Sequence, residues 1–281
     1  MARELDRRTL VERSIIKKYR KTIWNRFIEG IKAYDMIKAG DKIGVCISGG
    51  KDSMLLAKCI QHLQKISDVP FTAEYIVMDP GYNPENRQRI IENAEILGIP
   101  IHIFETDIFG VVADSAEGSP CYLCARMRRG YLYNEAQKLG CNKIALGHHF
   151  NDAIETTLLS IIYGAEVKTM MPKLKSTGHV GMELIRPLYM VREDDIIAWA
   201  RYNSLSFIRC ACRFTEKLEG DASGESKRLE IKKLIADLMR DNKHVEMNIF
   251  RSVHNVNLTT VIGYREKDGD ESHSFLEVYD K

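Results

Sequence analysis

Apolar positions recur at helical spacing through "TLVERSIIKKYRKTIWNRFIEGIKAYDMI", which predicts a helix over residues 9–37. A short β-branched run, "DKIGVCI", then reads as a buried strand. The polar hexapeptide "SGGKDS" separates it from a helical pattern, "MLLAKCIQHLQKI". "FTAEYIVMD" and "IPIHIFE" read as the second and third strands. Between them "PENRQRIIENAEILG" is a helix with Pro at its start and Gly at its end. Residues 121–139 follow as helix, "CNKIALGHH" as a fourth strand and "DAIETTLLSIIYG" as a helix. "ELIRPL" is a candidate fifth strand, backed by a helix over 192–203. Two more helical stretches, "SGESKRLEIKKLIADLMRDN" and "HVEMNIFRSV", lead to a polar tail expected to be loose.

Strands alternating with helices of this length predict an α/β fold: right-handed βαβ units and a parallel sheet with helices on both faces. Helices flank it at both ends. The expected divisions are an N-terminal basic helical region (1–39), a nucleotide-binding domain (40–210) and a C-terminal helical region with the tail (211–281). Ligands of such sheets bind at the carboxyl ends of the strands. Those ends carry "SGGKDS", "MDPGY" and "GHHFND", so the three converge on one crevice.

The net charge of the 281-residue chain is only +2, but residues 1–30 hold nine Lys or Arg against four acids. A basic start can touch phosphates; a solvated amphipathic helix explains the same charges. No stretch approaches the roughly 18 apolar residues that cross a bilayer. "MARELDRRTL" lacks a signal-peptide core. The expectation is a cytoplasmic protein with no membrane partner. Its seven cysteines are then thiols or metal ligands rather than a disulfide framework.

In "CISGGKDSM" two glycines let the backbone turn tightly so that N–H groups can face an anion. Lys51 adds charge, and Ser48 and Ser53 add hydroxyls. The spacing is neither that of the P-loop of nucleotide hydrolases nor that of a dinucleotide fingerprint. It resembles the PP-loop signature of the ATP pyrophosphatases, which split ATP between the α and β phosphates and attach AMP to a substrate oxygen. The resemblance implies that Gly49, Gly50, Lys51 and Ser53 hold pyrophosphate, with Ser48 and Asp52 in the same loop. It also places Asp79 or its neighbours at the nucleoside, and implies Mg²⁺ beside the phosphates.

"SPCYLCARMRRG" holds Cys121 and Cys124. A redox dithiol of the thioredoxin type belongs near the first strand, not after the third. Structural zinc needs two more ligands, for which "RCACR", with Cys210 and Cys212, is the candidate. A third reading joins Cys121, Cys124 and one cysteine of that pair on a [4Fe–4S] cluster with one iron open to sulfide. Cys46, Cys59 and Cys141 lie in apolar contexts and read as small buried hydrophobes.

"AYDMIKAGDKIGVCISGGKDS", "CYLCARMRRGYLY", "NKIALGHHFNDAIETT", "MMPKL" and "LIRPL" resemble the tRNA 2-thiocytidine synthetase family and its thiouridine-forming relatives. The resemblance runs from about residue 15 to 245. It implies that Cys121, Cys124 and Cys210 are cluster ligands, and that Gly147 approaches the nucleotide. Asp152 becomes an active-site acid or a metal or substrate contact, with helix capping as its plainer role. Arg128 falls where relatives carry a catalytic cation. His148 and His149 serve the site or packing alike; Arg126 and Arg129 read as phosphate contacts or a solvated face. The partners implied are tRNA and a sulfur donor, either sulfide or a cysteine desulfurase. A homodimer through the first helix is compatible with the sequence and not required by it.

Three departures stand out. The family commonly has two adjacent aspartates after "GHH-x", where this chain has Asn151 and Asp152. The third-cysteine region often reads C-x-x-C and here reads "CAC". No cysteine precedes Cys46 or follows Cys212, where thiouridine-forming relatives carry zinc fingers, which points to the thiocytidine branch. The expected reaction is ATP-dependent adenylation of the C2 carbonyl oxygen of a tRNA pyrimidine, a cytidine first, and its replacement by sulfur. Two alternatives stay open: a PP-loop sulfur transferase or desulfurase acting on another nucleotide or small molecule, and a zinc-stabilised nucleotide sensor.

Overall fold

A computed structural model describes residues 5–110, 120–208, 227–266 and 271–279. Its six-stranded sheet has the order β3-β2-β1-β4-β6-β5. The strands are β1 (Lys42–Ile47), β2 (Thr72–Asp79), β3 (Ile101–Glu105), β4 (Lys143–Ala145), β5 (Lys173–Lys175) and β6 (Glu183–Ile185). β1 pairs in parallel with both β2 and β4, while β5 runs antiparallel to β6. From β1 the chain builds outward to β3, then returns to place β4 on the other side of β1. The switch between β1 and β4 opens the crevice in which sheets of this kind take ligands.

The expected parallel α/β sheet is present, and burial explains why it was readable. Interior strands covered on both faces are nearly continuous apolar runs. All residues of β1 after Lys42 are buried, as are the last five of β2. Edge strand β3 instead alternates. β5, within "MMPKLK", was not expected; three residues with two lysines carry no strand periodicity.

The helices α1 (Arg7–Arg13), α2 (Asn25–Ala33), α3 (Lys51–Ile66), α4 (Pro84–Leu97), α5 (Pro120–Lys138), α6 (Phe150–Gly164) and α7 (Glu193–Tyr202) follow the predicted pattern closely. The helix expected over 9–37 is interrupted by two π-helical turns, Ser14–Lys18 and Arg20–Trp24, which join α1 to α2. Asn83 caps α4 by accepting from Asn86 N at 2.7 Å, Pro84 opens it, and left-handed Gly98 (φ 62°) ends it.

Buried charge ties the first helix to α3. Lys58 is 0% exposed; its ammonium donates to Gln61 Oε1 (2.8 Å) and Leu97 O (2.9 Å) and lies 3.1 Å from Glu12. Glu12 also meets His62 and Lys65 at 3.0 Å. Burial alone would raise the Glu12 carboxyl, but hydrogen bonds from Lys65, Lys58 and His62 hold it down at about 2. At the amino ends of the strands Lys143 joins Asp41 (2.8 Å), Glu183 (3.2 Å) and Met36 O (2.9 Å).

The chain forms two compact units, Met1–Ala153 with Met170–Lys227, and Ile154–Thr169 with Arg228–Lys281. The second includes most of α8 (Lys227–Asp241), α9 (Val245–Ser252) and the short α10 (Leu276–Tyr279). Part of the tail expected to be loose is a hairpin, β7 (Gly263–Glu266) with β8 (Glu271–Ser274), in which Tyr264 stacks on His273. Among the described residues no helix is long and apolar enough to cross a membrane.

Candidate active site

β1 ends at Ile47, three residues turn, and α3 begins at Lys51. Gly49 sits at φ +83°, and a Cβ there would lie 2.6 Å from Ile90 and 2.7 Å from Ile208. Only glycine fits both the dihedral and the space. Ser53, buried under the turn, accepts from Ser48 N (3.1 Å) and donates to Gly50 O (3.0 Å). Its hydroxyl therefore ties the loop shut from below rather than facing outward. Gly50 caps α3 without a side chain, so the first-turn N–H groups keep their need for an acceptor, which an anion satisfies.

The end of β4 closes on this turn. A Cβ on Gly147 would stand 2.9 Å from Ser53 N and 3.1 Å from Asp52 C, both backbone atoms. Position 147 thus packs directly on the backbone of the first turn of α3.

Lys51 Nζ lies 3.2 Å from Asp52 Oδ2 and 3.2 Å from Glu193 Oε1. Glu193 was missed in the sequence; its signal was an acid opening the helix after "LIRPL". Asn151 explains its placement. Its Oδ1 accepts from Glu193 N at 3.0 Å, fixing the start of α7. Where the family pattern has an additional aspartate, this chain has an amide that positions a nearby carboxylate.

Asp152 lies in the first turn of α6. Its Oδ2 accepts from His149 N (3.0 Å), while His149 Nδ1 accepts from Asp152 N at 3.4 Å. This is a reciprocal capping box with histidine in the serine role. His149 Nδ1 also lies 3.4 Å from Asp152 Oδ2, and its Nε2 faces Asp52 Oδ1 at 3.8 Å. That Asp52 oxygen is buried with no hydrogen-bond partner. An orphaned hard oxygen beside a phosphate cradle fits a site for Mg²⁺ with phosphates.

His148 accepts from Arg186 Nε (3.3 Å), and Arg186 Nη1 donates to Met171 O. Burial, then the nearby charge of Arg129, brings the Arg186 guanidinium down to about 10. Arg186, named earlier only within "LIRPL", pins the strand end to the 171–172 turn. Arg129 rather than Arg128 shares its field. Arg128 is half-buried on α5, and Arg126 and Arg129 are exposed. Asp79 ends β2, where Oδ1 accepts from Gly81 N (2.9 Å) and Tyr82 N (2.7 Å) and Oδ2 lies 3.4 Å from Arg87. Its carboxylate is engaged in the turn.

Cys121 and Cys124 are three apart on α5, with Arg128 four residues beyond Cys124. Cys124 packs against Met78, the neighbour of Asp79, and Ile108. The side chain of Cys121, and Cys210 and Cys212 altogether, lie outside the described residues. The chain is described to Ile208, whose side chain meets Gly49. The other thiols are poor ligands. Burial pushes Cys46 up to about 12, Cys141 up to about 11, and Cys59 still further. They stay protonated at neutral pH, whereas metal binding needs thiolates. The remaining donors, Cys121, Cys124 and the 210/212 pair, fit a site of three thiolates.

The profile of the PP-loop domain family matches residues 16–215. The chain is 34% identical over 247 residues to the tRNA-cytidine(32) 2-sulfurtransferase of Geotalea uraniireducens, covering 87% of this chain and 95% of that one. It is 38% identical over 247 residues to the enzyme of the same name from Photobacterium profundum, covering 85% and 76%. The chain belongs to the tRNA-cytidine(32) 2-sulfurtransferase family of PP-loop proteins. In fold it is similar to the U34-tRNA thiolase of Methanococcus maripaludis solved with its [4Fe–4S] cluster (TM-score 0.65, 22% identity, 82% and 77% covered). The PP-loop match takes in the loop, Asp79, Cys121, Cys124, Gly147, Asp152, Glu193 and both members of the "CAC" pair.

Proposed function

We propose that this chain is an ATP-dependent tRNA thiolase that converts cytidine 32 of tRNA to 2-thiocytidine. The observation that carries the reading is a thiol-bearing helix packed at the strand end beside the PP-loop. α5 sets Cys124 against the end of β2, and Ile208 meets Gly49 in the loop. ATP seats its β and γ phosphates on the N–H groups of Gly49 to Ser53, and Lys51 exchanges its carboxylate partners for phosphate oxygens. Asp52 would hold Mg²⁺, which would neutralise charge on the phosphates.

The C2 carbonyl oxygen of the cytidine attacks the α phosphorus, and pyrophosphate leaves. Lys51 and the loop amides stabilise the charge that builds on it. Sulfur then adds at C2 and AMP departs with the original oxygen. Arg129 and Arg186 lie in a common field that favours the anionic adenylate, and Arg128 stands one turn beyond Cys124. Asp152 orients His149 so that its Nε2 faces Asp52. A [4Fe–4S] cluster on Cys121, Cys124 and Cys210, when bound, supplies an open iron that carries sulfide. Sulfide itself or a cysteine desulfurase provides the sulfur, and the reaction belongs in the cytoplasm with its tRNA.

Adenylation is testable apart from sulfur transfer. With anaerobically reconstituted enzyme and γ-labelled ATP, labelled pyrophosphate should be released with tRNA bearing C32 and stay at background with a C32-to-U32 transcript. Equal pyrophosphate release with both transcripts, or with none, rejects the assignment.

A further inference from the structure

The first helix has an apolar stripe at a spacing no straight α-helix sustains. Val11, Ile15, Ile23, Phe27 and Ile31 are buried, and Tyr19 is half-buried. Each step is four residues. At about 100° per residue, four residues overshoot one turn by roughly 40°, so five steps drift by about 200°. Without correction Ile31 would point away from the core. The two π turns supply the correction. Tyr19 N bonds to Ser14 O (2.9 Å), and Trp24 N bonds to Tyr19 O (3.3 Å). Each such turn absorbs one extra residue, about 100°, and two absorb the whole drift.

The same correction acts on the opposite face. Arg13, Lys17 and Lys21, also four apart, become a straight row instead of a spiral. All three are exposed, and among the described residues none has a hydrogen bond, ion pair or ring contact, which holds for exposed Arg20 as well. Three other bases of this helix are engaged within the chain. Arg7 donates to Ser204 O (3.2 Å), Lys18 lies 3.6 Å from the Tyr202 ring centroid, and Arg26 pairs with Glu29 at 2.7 Å. Between residues 13 and 26 there are six bases and no acid. Arg13–Lys17 and Lys17–Lys21 are like-charge i,i+4 pairs, each costing a few tenths of a kcal/mol that an ordinary solvated helix avoids by mixing signs. A polyanion bound along the row removes that cost.

The row has a defined place relative to the loop. Tyr19 OH donates to Ala198 O (2.9 Å) in α7, whose first residue, Glu193, meets Lys51. Ala198 is about 7.5 Å along α7 from Glu193, so one helix joins the element that bears the row to the loop.

We infer that the π-aligned row Arg13–Lys17–Lys21 is a phosphate ladder that docks one strand of the substrate RNA while its target base occupies the PP-loop crevice. The inference rests on the tRNA reading above and adds the surface and residues that hold the backbone. The test is fluorescence anisotropy of labelled tRNA on the full-length enzyme across a salt series. One triple variant carries Arg13→Gln, Lys17→Gln and Lys21→Gln; the comparison variant carries Arg7→Gln, Lys18→Gln and Arg26→Gln. Each lost phosphate contact makes the log–log salt slope shallower by about 0.7–0.9. The row variant should therefore lose about 2–3 in slope and bind roughly 50–150-fold more weakly at 0.15 M salt. The comparison variant should lose less than about 1. Restoring charge with Arg13→Lys, Lys17→Arg and Lys21→Arg should restore the slope. Equal losses in the two triples, or an unchanged slope in the row variant, overturn the ladder while leaving thiolation intact. Wild-type enzyme that neither binds nor thiolates tRNA overturns both.

Discussion

Adding one methyl group at Gly147 tests whether the strand-to-helix cradle is the catalytic frame. In Gly147→Ala the new Cβ would sit 2.9 Å from Ser53 N and 3.1 Å from Asp52 C and Ser53 Cα, where ordinary contact begins at 3.4 Å. The obstacle is backbone in the first turn of α3, so no flexible side chain can yield. The turn must move by about half an ångström. Overpacking of this kind costs roughly 1–3 kcal/mol. For a chain of this size that lowers Tm by several degrees. The effect on chemistry should exceed the effect on stability. Ser53 holds the loop through bonds of 3.1 and 3.0 Å to Ser48 and Gly50, and a half-ångström shift lengthens them past useful range. A 1 Å misplacement can cost 100-fold, so about tenfold or more in kcat/KM for ATP is expected. The assay is tRNA-dependent AMP release beside a melting curve, with Gly178→Ala as control, since a Cβ there meets nothing within 4 Å. Gly147→Ala enzyme with wild-type ATP kinetics would refute the cradle.

Two other expectations follow from buried charge. Glu12 has its carboxyl held at about 2 against an ordinary 4.5, so its contribution to stability is complete above pH 4.5 and lost as pH falls towards 2. The contribution is at most about 3 kcal/mol, because burial of Lys58 opposes it. Glu12→Gln should cost roughly 2–4 kcal/mol at pH 7 in denaturant melts and flatten the dependence between pH 4.5 and 2; an unchanged acid limb would contradict this. Among the cysteines, native alkylation of the metal-free protein at neutral pH should spare Cys46, Cys59 and Cys141, whose thiols burial keeps protonated. Cys121→Ala, Cys124→Ala and Cys210→Ala should each abolish the visible absorbance of reconstituted enzyme, and Cys212→Ala should retain it. The reverse result for the last two would move the third ligand to Cys212.

The parallel sheet was legible because burial on both faces leaves uninterrupted apolar strands, and the glycine loop because two glycines between strand and helix admit few other uses. Features that depend on residues distant in sequence were not. Glu193 meets Lys51 across 142 positions, and no local pattern announces it. Arg186 reads as one more residue of a strand until its guanidinium is seen bridging His148 and Met171. Asn151 looked like a lost carboxylate, yet its amide oxygen caps the helix that carries Glu193. The π turns were hidden in plain periodicity. A stripe spaced strictly by four residues over twenty positions is already incompatible with an uninterrupted α-helix, a signal available to closer counting. Asp79 stands at the strand end where the loop family suggested it, but its own turn claims its carboxylate.

The central claim is that one crevice activates C2 of a tRNA cytidine with ATP and delivers sulfur to it. Mass spectrometry of nucleosides from cytidine-32 tRNA, after anaerobic reaction of the reconstituted enzyme with ATP, Mg²⁺ and sulfide, tests it most directly. The account predicts 2-thiocytidine, mapped to position 32, dependent on ATP and absent with Lys51→Ala. Thiolation of uridine instead, thiolation without ATP, or none while a small-molecule acceptor is modified would contradict it.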